Sequence, residues 1–334
     1  MAALPSRYPP ALPMGPVNPA RQRVEGFLAL VGVQLCFGLS PLFAKWSLVR
    51  DGGFAPRALV GWRILFGAAC LGGLAAARHG RAIVPPRAEL GRLGLCAALG
   101  IVFNMWLYLE GVARTSALHT GLLVVQIPVF TYAVACLARA ERAERRRVLG
   151  IAVALSGALV IVFEHSGEGA GGGSTAGNLL IVANCLSYAV YLVLARGLLQ
   201  RFPTLVVIAW VFWCSLPAVP LLFHGVPVWP VGAAPRVLAS FAYTLVFGTF
   251  LAYLLNAFAL ARVPASTVAV FIFLQPLVAG AAGVLALDER ITLPVVLAGA
   301  LLLAGIVLVA LAPPGAGTSG SIQRVAGRVF QSRR

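Results

Sequence analysis

The stretch "LLVVQIPVF" at residues 122–130 places a glutamine and a proline inside a run that is otherwise apolar. A second stretch, "FIFLQPLVAG" at 271–280, repeats this pair in nearly the same setting. Proline removes a backbone donor and clashes with the preceding turn, which costs about 3 kcal/mol in an ordinary helix interior. Because the chain accepts this cost twice, each time beside a polar amide, we expect both interruptions to have a functional role.

The composition around these stretches is typical of a helical membrane protein. The chain has 334 residues, is 60% hydrophobic and 11% charged, and has a mean hydropathy of +0.91. Apolar runs of about 20 residues recur, the length that crosses a hydrocarbon core about 30 Å thick. Spans are predicted near 26–49, 57–77, 91–111, 117–138, 146–163, 176–199, 204–223, 236–260, 266–287 and 293–311. The sequence therefore predicts an all-α polytopic membrane protein with about ten transmembrane helices.

The net charge of +16 follows membrane topology rather than nucleic-acid binding. Between the predicted spans, alternate loops and both tails carry 19 basic residues, while the opposite loops carry 5. Basic residues concentrate on the cytoplasmic side of membrane proteins. We expect a multi-pass protein of the cell membrane with both termini in the cytoplasm, whose partners are the lipid bilayer and a small-molecule substrate.

The remaining segments are predicted to be connections and tails. Residues 1–25 are proline-rich and are expected to form a disordered cytoplasmic tail, residues 164–176 a glycine-rich connection, and residues 312–334 a basic cytoplasmic tail. The six cysteines show no CxxC or Cys/His spacing, so the sequence predicts neither a metal site nor a cofactor.

An internal repeat appears when the chain is shifted by 148 residues. Arg114 then meets Arg262, Pro128 meets Pro276, and Glu141 meets Glu289. The repeats, at 26–163 and 177–311, hold five spans each, and an odd number makes the second repeat enter the membrane the opposite way up. The loops agree, because "RAERAERRR" around Glu141 is strongly basic while "LDERITLP" around Glu289 carries one arginine. Inverted repeats of this kind are typical of secondary transporters.

The two Gln–Pro sites lie near the midpoints of the fourth and ninth spans. Interrupted helices at matching positions of two repeats indicate a substrate site, so Gln126, Pro128, Gln275 and Pro276 are candidates for its wall. Each proline also frees a carbonyl one turn earlier, around Val124 and Ile272. In a membrane such a group must face protein or a wet cavity. The alternative is a packing kink relieved by neighbouring helices.

Four charged or titratable residues fall in the predicted outer half of the first repeat. Lys45 and Arg63 lie within spans, where charge is costly and indicates function. They are candidates for attracting a carboxylate or phosphate, although both side chains are long enough to reach the interface. Glu110 and His119 are candidates for charge or proton coupling, with an interfacial role as the alternative for His119.

Uncharged polar residues within the spans complete the set of candidates. A buried amide in a helix bundle usually hydrogen-bonds to another helix, yet some of the group should line a cavity. The candidates are Asn104, Asn256, Tyr188, Tyr191 and Tyr253, with Asn184 beside them.

Several motifs together resemble the EamA-type branch of the drug/metabolite transporter superfamily. They are "CFGLSPLFAKW" (36–46), "WRILFGAA" (62–69), "TSA" (115–117), Pro128 with Glu141, "GIAVALSGALVIV" (150–162), Pro276, "LDER" (287–290) and "LAGALLLAGIVLV" (297–309). The resemblance covers about residues 27–311. It implies alternating-access transport of a small metabolite, often an amino acid or related polar compound and frequently by export, and leaves the substrate open.

Other classes fit less well. The two aspartates lie in predicted loops, and no nucleophile elbow or P-loop occurs, so neither an enzyme nor an ATP-driven pump is expected. An exporter of lipophilic cations is the alternative transporter, and a channel is a further one. The sequence leaves monomer and homodimer open.

Overall fold

The computed structural model describes residues 19–48, 52–140, 144–164, 174–260, 262–263, 271–272 and 274–310. Residues 1–18 and 312–334 of the predicted tails, most of the 164–176 connection, and Glu141 lie outside these residues. Residues 19–25, predicted as part of the N-terminal tail, are instead helical and lead into the first span. Within the described residues the chain is helical, without a strand. The ten spans are α1 Arg21–Ser47, α2 Pro56–His79, α3 Arg87–Val112, α4 Ala117–Leu137, α5 Arg145–Phe163, α6 Thr175–Leu199, α7 Thr204–Phe223, α8 Pro235–Asn256, α9 Leu274–Leu287 and α10 Leu293–Ala310. Eight are long and apolar enough to cross a membrane, and α9 and α10 add two shorter apolar helices.

Helix α4 is broken where the sequence places its proline. It consists of Ala117–Val124 and Ile127–Leu137. Pro128 has no backbone donor for the fourth residue before it, so regular helical bonding stops there. Gln126 at the break donates its backbone N–H to the Leu123 carbonyl at 3.1 Å instead, a bond one residue shorter. The break confirms that the fourth span is interrupted near its middle.

Two π-helical turns occupy equivalent positions of the repeats. They cover Ala98–Val102 in α3 and Val246–Leu251 in α8, and their first residues are 148 positions apart. Gly100 and Gly248 are equivalent within them. A π-turn widens a helix and shifts its hydrogen bonds, and such turns are frequent at functional sites.

The packing of the helices follows the repeat. Helix α3 packs on α6, and its equivalent α8 packs on α1. Helices α5 and α10 are equivalent to each other and form an extensive contact. At that contact a Cβ added to Gly157 would lie 2.7 Å from the Ala298 carbonyl oxygen, and one added to Gly305 would lie 2.4 Å from the Ala154 nitrogen. Small residues therefore let the two backbones approach closely, as in other membrane helix pairs.

The outward faces of the bundle are apolar. Leu137 of α4 and Leu285 of α9 are each 84% exposed, and both helices are strongly apolar. Lipid tails can cover such side chains at no cost, whereas water cannot. The prediction of a polytopic helical membrane protein built from two inverted five-helix repeats is confirmed.

Candidate functional site

A cavity of about 290 Å³ lies among the middle portions of the spans. Seven helices contribute to its wall, namely α1, α2, α3, α4, α6, α8 and α9. Most of the wall is apolar. Its polar members are one arginine, five amides, three tyrosines and two hydroxyl residues, namely Arg63, Gln34, Asn104, Asn184, Asn256, Gln275, Tyr108, Tyr188, Tyr253, Ser40 and Thr120.

Arg63 is the charged member of the described wall. It comes from α2, and only 6% of it is exposed. Its Nε donates to Thr249 Oγ1 at 3.0 Å, and its Nη2 donates to the Gly248 carbonyl at 3.1 Å. No carboxylate of the described residues lies within ion-pair distance of it. The guanidinium is therefore held in place without being neutralised.

The π-turn of α8 explains how Arg63 is held. Both of its acceptors, the Gly248 carbonyl and the Thr249 hydroxyl, belong to that turn. The Thr249 hydroxyl in turn donates to the Thr244 carbonyl at 3.0 Å, five residues earlier. A guanidinium has five N–H donors, so two fixed bonds leave three donors available. Planar donor pairs of this kind suit a carboxylate or phosphate.

The amides of the wall are partly paired with each other. Gln275 Nε2 donates to Gln34 Oε1 at 2.7 Å, which joins α9 to α1. Asn184 Nδ2 donates to the Asn104 carbonyl at 2.7 Å, and Asn104 Nδ2 returns a bond of 3.3 Å to the Asn184 carbonyl. These pairs connect helices across the cavity and still present amide groups to it.

Tyrosine rings form much of the remaining wall. Tyr188 from α6 and Tyr253 from α8 line the cavity, as does Tyr108 from α3. Tyr191 packs behind Tyr188 with ring centres 5.3 Å apart, and its ring lies against Gly100 of the α3 π-turn. Tyr191 therefore supports the wall rather than facing the cavity.

Four other predicted residues lie away from this wall. Gln126 is fully buried, and neither amide atom has a hydrogen-bond partner in the described structure. Pro128 begins the second half of α4. Pro276 lines a separate apolar groove of about 550 Å³ between α4, α9 and α10. Lys45, near the end of α1, is partly buried and is close enough to Glu289 for electrostatic interaction.

The freed carbonyls predicted from the two prolines belong to residues that face the cavity. Val124 and Ile272 both line it. The Ile272 carbonyl also accepts the backbone N–H of Gln275 at 3.0 Å. The proline interruptions thus border the cavity through the residues that precede them.

The polar residues at the N-terminal end of α4 form a second group. Glu289, from the loop between α9 and α10, accepts the backbone N–H groups of Ala117 at 2.6 Å and Leu118 at 2.8 Å. A carboxylate at a helix N-terminus is favourable, so Glu289 ties this loop to α4. Glu110 pairs with Arg114 one turn later in the chain. His119 lies beside Glu164, outside the cavity.

Three residues escaped sequence reasoning. Tyr108 is equivalent to Asn256 at the 148-residue offset, so the repeat itself contained a signal for it. Gln34 is a lone amide inside the first span and could have been included on the same ground as Asn104. Glu164 stands at the start of the glycine-rich connection, and nothing in the sequence relates it to His119.

An all-helical bundle of inverted repeats around a central cavity with polar side chains in its wall defines a polytopic membrane transporter. The sequence matches the EamA-like transporter family over residues 24–163 and 175–311, one copy for each repeat. The chain belongs to this family, which confirms the predicted resemblance.

Individual relatives are distant. A protein of Streptantibioticus cattleyicolor named "Probable terminal-alkyne amino-acid exporter" is 29% identical over 231 residues, which cover 67% of this chain and 74% of that one. A WAT1-related protein of Arabidopsis thaliana is 24% identical over 313 residues, covering 85% of this chain and 82% of that protein. A solved crystal structure shares the fold with a TM-score of 0.59 at 18% identity, covering 86% of this chain and 96% of that one.

Proposed function

We propose that the protein exports a small amino acid, or a related polar compound with a free carboxylate, across the cytoplasmic membrane by alternating access. The observation that carries this proposal is Arg63, a buried cation in the cavity wall with no carboxylate partner among the described residues. A buried unneutralised charge is costly, and a substrate carboxylate would neutralise it through the three remaining donors. The amides and tyrosines of the wall would bind the polar groups and cover the apolar part of such a substrate.

The proposed direction of transport and the proposed orientation of the chain in the membrane rest on separate observations. The named function of the Streptantibioticus relative is amino-acid export. The excess of 19 basic residues over 5 in alternate loops favours cytoplasmic termini. We propose no enzymatic activity, because the named relatives include transporters and the polar groups of the described wall consist of an arginine, amides, hydroxyls and phenols.

An exporter of lipophilic cations is the alternative, and the cavity disfavours it. A cationic substrate would be repelled by Arg63 and would need a carboxylate to receive it. The part of the wall that the structure describes contains none. Glu110 is paired with Arg114 and lies outside the cavity.

The test is counterflow in proteoliposomes preloaded with single unlabelled amino acids and supplied with the same labelled compound outside. We expect the wild type to accelerate the exchange of at least one of them, and Arg63→Gln to slow that exchange about 10- to 100-fold at low substrate concentration, because a charged hydrogen-bonded contact is lost. Arg63→Lys, which keeps the charge but not the planar donor pair, should lose less. Unchanged exchange by Arg63→Gln, or wild-type exchange of lipophilic cations alone, would contradict the proposal.

A further inference from the structure

A pair of asparagines in the cavity wall joins α3 to α6. Asn184 Nδ2 donates to the Asn104 carbonyl at 2.7 Å, and Asn104 Nδ2 donates to the Asn184 carbonyl at 3.3 Å. A backbone carbonyl can only accept a hydrogen bond, so the end of each amide that faces it must be the NH₂ group. The reciprocal bonds therefore fix the orientation of both amides.

The other end of each amide is its oxygen. Within the described residues no donor reaches Asn104 Oδ1, and Asn184 Oδ1 has only the thiol of the adjacent Cys185, at 4.0 Å. A thiol is a weak donor. Both asparagines line the cavity, so this part of the wall offers two acceptor oxygens from neighbouring side chains.

The second amide pair of the wall offers a different combination. Gln275 Nε2 donates to Gln34 Oε1 at 2.7 Å, which leaves the oxygen of one amide and the NH₂ group of the other. A mixed pair suits a group that both donates and accepts, such as a hydroxyl. Two oxygens together suit a group that has several N–H donors and no acceptor, and an ammonium group has this property.

Helix packing alone does not require the asparagines. At the 148-residue offset, Asn104 is matched by Ala252 of α8, and Asn184 is matched by Cys36 of α1. Helices α8 and α1 form the equivalent contact of the second repeat, and they do so without an amide at either position. The amide pair is therefore a feature of one repeat, as Arg63 is.

The asparagines and Arg63 border the same cavity. Tyr108 follows Asn104 by one helical turn on α3 and is close enough to Arg63 for electrostatic interaction. One turn is about 5.4 Å long, so a small substrate can reach the cation and the amide oxygens at once. A substrate with a carboxylate and an amino group would thereby meet a donor at one end and acceptors at the other.

We propose that Asn104 and Asn184 form the subsite for the amino group of the substrate. Their amide oxygens accept its N–H donors while the substrate carboxylate binds Arg63. This assignment rests on the proposed function and narrows it, because it requires an amino group as well as a carboxylate. A simple carboxylate of the same shape would leave the two oxygens without a donor and would bind more weakly.

Binding of matched ligands to the full-length protein in lipid nanodiscs tests the subsite. L-Leucine and 4-methylpentanoate differ only in the amino group, and the mostly apolar wall can cover the apolar part of both. The same pairing with a deaminated analogue is made for every amino acid that the counterflow assay identifies. By isothermal titration calorimetry we expect the wild type to bind the amino acid about 10- to 100-fold more tightly than its analogue, as expected for hydrogen bonds to a charged group.

Variants copied from the second repeat locate the subsite. Asn104→Ala and Asn184→Cys introduce the residues that the equivalent contact already carries, so both are expected to fold. Each should weaken binding of the amino acid about tenfold and leave binding of the analogue unchanged, whereas a purely structural role would weaken both alike. Ser187→Ala is the matched control and should change neither affinity. Ser187 Oγ donates to the Leu99 carbonyl at 2.7 Å between the same two helices, outside the described cavity wall.

Equal wild-type affinity for the two members of every pair, or equal weakening of both by the asparagine variants, would overturn the subsite. Either result would leave the proposed function standing if Arg63→Gln weakens binding of both ligands, because that variant tests the carboxylate contact alone. If the wild type bound no member of any pair, or if Arg63→Gln changed neither affinity, the proposed function would fail and the subsite with it.

Discussion

The two repeats share their scaffold and differ in their chemistry. Glycines in the π-turns, glycines at the contact between α5 and α10, and the span-interrupting prolines recur at the 148-residue offset; they are Gly100 and Gly248, Gly157 and Gly305, and Pro128 and Pro276. The polar side chains of the cavity wall are matched by side chains that differ in kind. Arg63 is matched by Val211, and Tyr108 by Asn256.

The residues that shape the cavity are therefore shared by the two repeats, whereas the residues that would contact a substrate are not. Under the proposed alternating-access function, small residues and helix interruptions are needed in both repeats, because both halves then have to pack and bend alike. A substrate with one carboxylate needs one cation, and two buried cations without partners would repel each other. The comparison therefore predicts that symmetric substitutions alter stability in the same direction, whereas the asymmetric residues control binding.

The largest effect is expected at the contact between α5 and α10. In Gly305→Ala, the new Cβ would lie 2.4 Å from the Ala154 nitrogen, a backbone atom that cannot move alone. We expect the free energy of unfolding to fall by about 3 kcal/mol, measured by chemical denaturation in mixed micelles. Gly157→Ala, with a Cβ 2.7 Å from the Ala298 oxygen, should lower it by a similar amount.

Gly299→Ala is the matched control on the same helix. Its Cβ would meet its nearest neighbour, Leu122 Cδ2, at 3.5 Å, an ordinary contact. We expect Gly299→Ala to leave the free energy of unfolding nearly unchanged. A tolerated Gly157→Ala beside a damaging Gly305→Ala would show that the two repeats do not pack symmetrically.

The π-turn glycines should give a smaller and unequal effect. A Cβ at Gly100 would lie 2.4 Å from Tyr191 Cδ2, and this buried ring is already packed against Tyr188. A Cβ at Gly248 would meet only Ser40 Oγ, at 3.2 Å. In the same denaturation assay we expect Gly100→Ala to lower the free energy of unfolding by about 2 kcal/mol. Gly248→Ala should lower it by only a few tenths of that amount. Equal losses would mean that both turns are equally crowded.

Much of the fold could be predicted from the sequence, because the hydropathy of each segment and the charge of each loop can be assessed without knowing how the helices pack. Run length determines whether a segment can cross the bilayer, and the 148-residue offset reveals the inverted repeat. The π-turns could not be predicted. Gly100 and Gly248 look like two small residues among many, and the widened turns are evident only in the structure, where α3 packs on α6 and α8 packs on α1.

The sequence predicted how deep the candidate residues lie in their spans, but it could not predict which way their side chains point. Arg63 was a candidate because a charge inside an apolar span needs a reason, and it does line the cavity. Gln126 also lies near the middle of its span, yet its side chain is buried at the break in α4 and does not line the cavity. The direction in which a side chain points cannot be predicted close to a helix interruption, because the helical periodicity is lost there. Glu164 could not be related to His119, because their proximity depends on how α5 ends against α4.

The two glutamines beside the prolines provide the last and smallest test. Gln275 donates to Gln34 at 2.7 Å, whereas neither amide atom of Gln126 has a partner in the described structure. Replacing a paired amide leaves its partner unsatisfied, while replacing an unpaired buried amide removes a desolvation cost. We therefore expect Gln275→Met to lower the free energy of unfolding by about 1 kcal/mol, and Gln126→Met to raise it by about as much.

Denaturation in mixed micelles measures both variants under identical conditions, and methionine has nearly the length of glutamine, so packing volume is held almost constant. The opposite signs are the critical result. If Gln126→Met were as destabilising as Gln275→Met, the amide of Gln126 would have to be satisfied in the folded protein, and the two interruptions would be chemically as well as structurally equivalent. Opposite signs would instead show that the interruptions recur as bends in the scaffold while their polar neighbours have diverged, as Arg63 and Val211 have.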